Sequence, residues 1–229
     1  MEATHLFGNT GLSRHSSDGG ASDELFARIA DNLLVQGYSV NPLALPIELA
    51  AELQQHLCVL SAEKFKAAGV GRESEHMRNR FVRSDEICWI TGESEVGRQW
   101  LAWAEQLQTY LNRRLLLGLF SFESHFAHYS PGDYYKRHLD SFKGAANRVL
   151  SVVAYLNNTW LPDEGGELVL YKDERDLVGL KVTPAFGTLV VFLSEEFPHE
   201  VLPATRDRYS IAGWYRVNSS TSDRSDPPR

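Results

Sequence analysis

The apolar positions change period along the chain. Leu25, Ile29 and Leu33 recur at helical spacing. They follow Ser22-Asp23-Glu24, which offers an N-cap and an acidic first turn, and they precede Gly37, which offers a stop. A first helix is expected there, then a short strand near residues 38–40. Pro46 opens a second helix through Leu49, Leu53 and Leu57 to about Leu60. Residues 63–68 are expected to add a further helical turn, and residues 86–90 a strand. The longest helix is expected from Ser94 to about Leu117, with Val96, Trp100, Trp103, Leu107, Tyr110 and Leu111 on one stripe. From Leu119 to Val217 the helical period disappears. Arg148–Asn157 is a nearly continuous apolar run, as in a strand buried on both faces. Turn-rich segments at 157–166 and 184–188 separate it from further short strands. Seven or eight strands behind a helical first half give an α+β chain that is mainly β.

Composition narrows the function classes. A length of 229 residues suits one domain with a sizeable core. The net charge of −7 argues against an electrostatic grip on nucleic acid. Cys58 and Cys88 form no disulfide framework. The first twenty residues are polar and lack a signal-peptide pattern, and no apolar run approaches membrane-spanning length. The expectation is a cytoplasmic protein with no membrane and no nucleic-acid partner. Residues 1–20 are expected to be disordered, residues 21–217 to form a single domain with its β core at about 119–217, and residues 218–229 to be a disordered tail.

The candidate chemistry lies in the β half. His138 and Asp140 are two apart, and in an extended strand residues i and i+2 share a face. His199 follows Asp140 by fifty-nine residues, and Arg208 lies nine beyond that. A second imidazole joining the first pair would complete a 2-His-1-carboxylate triad, the ligand set that holds Fe(II) and leaves positions open for substrate and oxygen. His-x-Asp alone is a spacing that ordinary surface residues also show. His125 and His128 are three apart, so on a strand they face opposite sides and do not share a metal; His125 shares a face with Tyr129. Residues 70–84 are polar and basic, with Arg72, Arg78, Arg80 and Arg83, and have the length of a functional loop.

Several segments carry a family likeness when read in order. They are Arg83-Ser84-Asp85-Glu86-Ile87-Cys88-Trp89-Ile90, Tyr129-Ser130-Pro131-Gly132, His138-Leu139-Asp140, Tyr155-Leu156-Asn157, Glu164-Gly165-Gly166-Glu167-Leu168, Pro198-His199-Glu200-Val201, and Arg208-Tyr209-Ser210-Ile211 with Trp214. In this order, from about Ser84 to Val217, the chain resembles the Fe(II)- and 2-oxoglutarate-dependent dioxygenases. The likeness is to their prolyl 4-hydroxylase branch and to bacterial relatives of the animal oxygen-sensing prolyl hydroxylases. The resemblance implies a double-stranded β-helix, or jelly roll, with the N-terminal helices packed on one face. It implies Fe(II) held by His138, Asp140 and His199, with 2-oxoglutarate as cosubstrate, O2 as oxidant and ascorbate as an accessory reductant. Arg208 matches the residue that pairs with the distal carboxylate of 2-oxoglutarate, where a planar fork of donors suits a bidentate contact. Tyr155 matches a phenol on the same carboxylate, Tyr129 a second tyrosine near the cosubstrate, and Trp214 a wall on the substrate side.

The implied reaction yields succinate and CO2 and hydroxylates a proline in an intracellular protein, with elongation factor Tu as the named candidate. The loop over 70–84 matches one that folds over a peptide, which points to Arg78 and Arg80 as substrate contacts. Two other readings stay open on the sequence. One is a dioxygenase that hydroxylates a small molecule or free amino acid; the other is a non-catalytic binding module on the same fold. Demethylation of nucleic-acid bases is disfavoured, because that family has a second arginine six residues after the first and Trp214 stands there.

Overall fold

In a computed structural model, the structure describes residues 18–68, 82–141 and 147–218. Helix α1 spans Asp18–Gln36, strand β1 Tyr38–Asn41 and helix α2 Ile47–Val59. Helix α1 therefore begins four residues before the start expected at Ser22, and residues 18–20 are helical rather than disordered. The N-cap signal does not mark the start because helix ends are weakly specified by local preference. Gly37 does end the helix. Its φ of +78° is left-handed, and a Cβ there would lie 2.8 Å from the Phe197 ring.

The further helical turn expected over 63–68 is a 3₁₀ turn at Ala62–Lys64 followed by strand β2, Lys66–Ala67. β2 has a ladder partner in β3, Glu86–Trp89, and pairing overrides the weak helical pattern. Helix α3, Glu95–Leu115, is capped by the Ser94 hydroxyl, which accepts from the Gly97 N–H at 3.1 Å. Such a cap contributes about 1 kcal/mol. Its stripe of Trp100, Trp103, Leu107 and Leu111 is buried against the sheet. Each such side chain contributes roughly 1.5–3 kcal/mol by leaving water.

Eight strands follow: β4 Leu119–Tyr129, β5 Tyr135–His138, β6 Arg148–Tyr155, β7 Leu168–Leu170, β8 Leu180–Val182, β9 Leu189–Leu193, β10 His199–Val201 and β11 Arg208–Val217. They form two antiparallel sheets. The larger has the order β1-β9-β6-β11-β4-β3-β2, and the smaller β5-β10-β7-β8. The period of two in β9 shows how the layers form. Leu189 and Val191 belong to the core under the helices, while Val190 and Phe192 belong to the core between the sheets. This is the double-stranded β-helix with helices on one face that the sequence predicts. Among the described residues, no helix is long and apolar enough to cross a membrane. Cys58 and Cys88 are both free thiols.

Candidate active site

The cavity between the two sheets has a volume of about 230 Å³. Strands β5 and β10 bring two imidazoles to it. His138 and His199 are direct partners across the ladder, and their rings are 4.2 Å apart. The Nδ1 of His138 lies 2.8 Å from the Lys136 carbonyl, and that of His199 lies 3.1 Å from the Phe197 carbonyl. A carbonyl only accepts, so each Nδ1 donates its proton there, which leaves Nε2 as the ring atom through which each histidine can bind a metal ion. Both Nε2 atoms lie 3.6 Å from the Asp140 carboxylate, and ligand atoms of all three residues fall within 4.8 Å of one another. The donor set and fixed tautomers fit a small divalent metal ion.

The expected sharing of one strand by His138 and Asp140 needs correction. β5 stops at His138, and Asp140 lies in the loop beyond it. Its position comes instead from Ser151 on β6, whose hydroxyl donates to the Asp140 carboxylate at 2.6 Å and also meets the Ser194 hydroxyl at 2.9 Å. Both serines are buried. Burial alone would raise the Asp140 pKa. His199, His138 and the Ser151 hydrogen bond outweigh burial and hold the carboxyl well below the ordinary carboxylate range. Burial pushes His199 down to about 4, and the neighbouring His138 adds to the fall.

Arg208, at the start of β11, is 1 % exposed. Its Nε donates to the Gly166 carbonyl at 2.8 Å and its Nη1 to the Ser210 hydroxyl at 3.3 Å. Gly166 has a φ of +73°, and a Cβ there would lie 3.2 Å from the Arg208 side chain. The guanidinium lies 4.9 Å from the Tyr129 ring centre and 5.2 Å from that of Tyr155. Among the described residues, no carboxylate pairs with it. An unpaired buried charge is costly, so this geometry suits an anionic ligand. The Tyr155 hydroxyl is buried with no hydrogen-bond partner among the described residues. Burial pushes its pKa up to about 12, against the pull of Arg208. Asn157 ties the ends of β6 and β11 together. Its side chain donates to the Tyr209 and Pro184 carbonyls and accepts from the Tyr209 N–H, which places Arg208.

Trp214 lines the same cavity, with the Arg148 guanidinium 3.7 Å above its ring. Arg148 and Arg216 share Glu123. Arg83 lines the cavity too, and pairs with the buried Asp85 through two bonds of 2.7 and 2.6 Å. Sequence reasoning missed Ser151, Ser194, Arg148 and Glu123 as parts of the site. His128 faces away from the cavity and bonds Asp207 at 2.8 Å, while His125 faces in. Arg78 and Arg80 lie outside the described residues.

This fold and site match one class. Residues 124–216 match the 2OG-Fe(II) oxygenase superfamily. The chain is 42% identical to a Pseudomonas putida prolyl-4-hydroxylase of known crystal structure, with a TM-score of 0.76 over 84% of this chain and 99% of that one. It therefore belongs to the 2OG-Fe(II) oxygenase superfamily, whose members use Fe(II), 2-oxoglutarate and O2, and its relatives there include prolyl hydroxylases. A prolyl hydroxylase from Trichoplax adhaerens, solved with a peptide fragment of the hypoxia inducible factor oxygen degradation domain, superposes with a TM-score of 0.77 at 28% identity, covering 89% of this chain and 94% of that one. Mouse prolyl hydroxylase EGLN3 is 30% identical over 146 residues, which are 59% of this chain. The match also spans 59% of that protein, so this chain covers about three-fifths of that curated relative.

Proposed function

We propose that the chain is an Fe(II)- and 2-oxoglutarate-dependent prolyl 4-hydroxylase of the cytoplasm, carried on a single domain over residues 21–217. It acts on a proline in another protein, and elongation factor Tu is the substrate to test first. The observation that carries the reading is the pairing of two features in one cavity. Three convergent side chains that could hold a metal stand at one place, and a buried arginine with no carboxylate partner among the described residues stands at another. The support for a proline substrate is the likeness to the Pseudomonas putida and Trichoplax adhaerens enzymes.

In this reading His138, Asp140 and His199 hold Fe(II). When bound, the iron with 2-oxoglutarate and O2 supplies the oxidising power, leaving one oxygen atom in succinate, releasing CO2 and placing the other oxygen in the product hydroxyl. The protein contributes orientation. His138 and His199 present their Nε2 atoms to the metal because their Nδ1 protons are held by backbone carbonyls. Ser151 fixes the Asp140 carboxylate. Arg208 binds the distal carboxylate of 2-oxoglutarate, where burial makes a directional charge pair strong. The unpartnered Tyr155 hydroxyl donates to the same carboxylate, and the Tyr129 ring covers the guanidinium. Trp214 walls the substrate side.

Succinate formation from 2-oxoglutarate, measured with and without elongation factor Tu, tests the proposal. Iron-dependent turnover stimulated by the protein supports it. Turnover stimulated only by a free amino acid or other small molecule overturns the choice of substrate. The absence of any iron-dependent turnover overturns the enzymatic reading itself.

A further inference from the structure

The Trp214 end of the cavity is rich in donors. Arg148 lies over the Trp214 ring, Arg83 lies 4.3 Å from the centre of the Tyr135 ring, and the Trp214 indole N–H has no hydrogen-bond partner among the described residues. The nearby carboxylates are engaged. Asp85 holds Arg83, and Glu123 bridges Arg148 and Arg216. Asp140 belongs to the His138–His199 cluster. A polypeptide presents a carbonyl at every residue and an N–H at every residue except proline. Its carbonyls find donors at this end of the cavity, whereas its N–H groups need an acceptor.

One imidazole meets that need. His125 is 2 % exposed, lines the cavity, and is flanked by Trp89 at 5.2 Å and Trp214 at 5.5 Å between ring centres. It pairs with Ala212 across the β4–β11 ladder, on the face of β4 that carries Tyr129. Its Nδ1 lies 3.2 Å from the Phe126 carbonyl, so Nδ1 carries the proton. Burial drives its pKa down to about 4; Arg83 and Arg148 add to the fall, and Asp85 opposes it. The ring is therefore neutral, with Nε2 a lone-pair acceptor. Nε2 makes no hydrogen bond with a described residue.

Resting on the reading of a polypeptide substrate, we infer that His125 Nε2 accepts a hydrogen bond from a main-chain N–H of the segment carrying the target proline. The bond fixes the register of that segment against the metal-binding cluster. His125 is thus a specificity-determining residue, and it selects polypeptides over free prolines, which lack flanking amides.

The test uses the full chain with Fe(II) and 2-oxoglutarate. A library of short, N-acetylated and C-amidated proline-centred peptides, with elongation factor Tu alongside, is screened for products one oxygen atom heavier. The peptide turned over best is remade with each amide flanking the proline changed in turn to an ester, which removes one N–H at a time. In the wild type, one ester is expected to lower kcat/KM about tenfold through KM, the size of effect expected when a buried acceptor loses its donor. The same ester is expected to cost His125→Phe less than about twofold, and His125→Gln, which keeps an acceptor, to recover part of the sensitivity. His125→Met serves as a second variant without an acceptor. Equal ester losses in wild type and in the Phe and Met variants overturn the inference and leave the substrate class intact. Indifference of the wild type to every ester overturns it too. Failure of all peptides and of elongation factor Tu to gain oxygen overturns the polypeptide reading, and the inference with it.

Discussion

His199 lies directly across the β5–β10 ladder from His138, with ring centres 4.2 Å apart and each Nδ1 within hydrogen-bond distance of the carbonyl two residues before it. This register turns both Nε2 atoms toward Asp140. A one-residue slip of either strand would move an imidazole to the other face of the sheet. His138→Ala, Asp140→Ala and His199→Ala should therefore each abolish iron-dependent succinate formation while leaving the thermal transition cooperative. Near-wild-type turnover in Asp140→Ala would remove the triad assignment.

Ser151 supports the site from outside the triad. Its hydroxyl donates to the Asp140 carboxylate at 2.6 Å and is buried against Ser194. Ser151→Ala should weaken metal binding by about 10–100-fold, the usual cost of losing such a support. Titration of the protein with Fe(II) under anaerobic conditions reads this directly, and unchanged affinity would show that the loop holds Asp140 unaided.

Arg208 should govern the cosubstrate. Arg208→Lys replaces a fork with a point charge and should raise the KM for 2-oxoglutarate. Arg208→Ala should cost about 2–5 kcal/mol of cosubstrate binding, as expected when one partner of a buried charge pair is truncated. Steady-state kinetics over a range of 2-oxoglutarate concentrations separates the two variants. An unchanged KM in both would place the anchor elsewhere.

The sequence carried the outline of the site but not its supports. Period-two spacing placed His125 and Tyr129 on one face, and both line the cavity. The same argument applied to His138 and Asp140 names two residues that do come together, but by another route, because β5 ends at His138 and a hydrogen bond from β6 positions Asp140. Ser151 sits inside an apolar run, where a serine reads as one small residue among others, and its partner is set by tertiary contact. The pair Arg148–Glu123 joins residues 25 apart on strands that are not neighbours in the sheet, so spacing cannot reveal it. The weak helical pattern of residues 63–68 yields to β pairing with Glu86 and Ile87, which lie beyond the range of local propensity.

Acid stability should report the neutral burial of His125. An unfolded histidine titrates near 6.5, whereas His125 is held at about 4 by burial, with Arg83 and Arg148 lowering it and Asp85 raising it. The unfolded chain takes up the proton first as pH falls. Stability is therefore full above about pH 6.5 and declines down to about pH 4. Wild type should lose roughly 2 kcal/mol more than His125→Phe between about pH 7 and pH 5, measured by urea denaturation. Equal losses would mean that His125 is not buried as a neutral ring in solution.

The central claim is oxygenation of a proline within a protein, and mass spectrometry of elongation factor Tu after incubation with the enzyme tests it most directly. The account predicts one proline heavier by a single oxygen atom, dependent on both Fe(II) and 2-oxoglutarate and absent with Asp140→Ala. Succinate formed at the normal rate with no proline oxygenated, in elongation factor Tu or in any other cell protein, would contradict it.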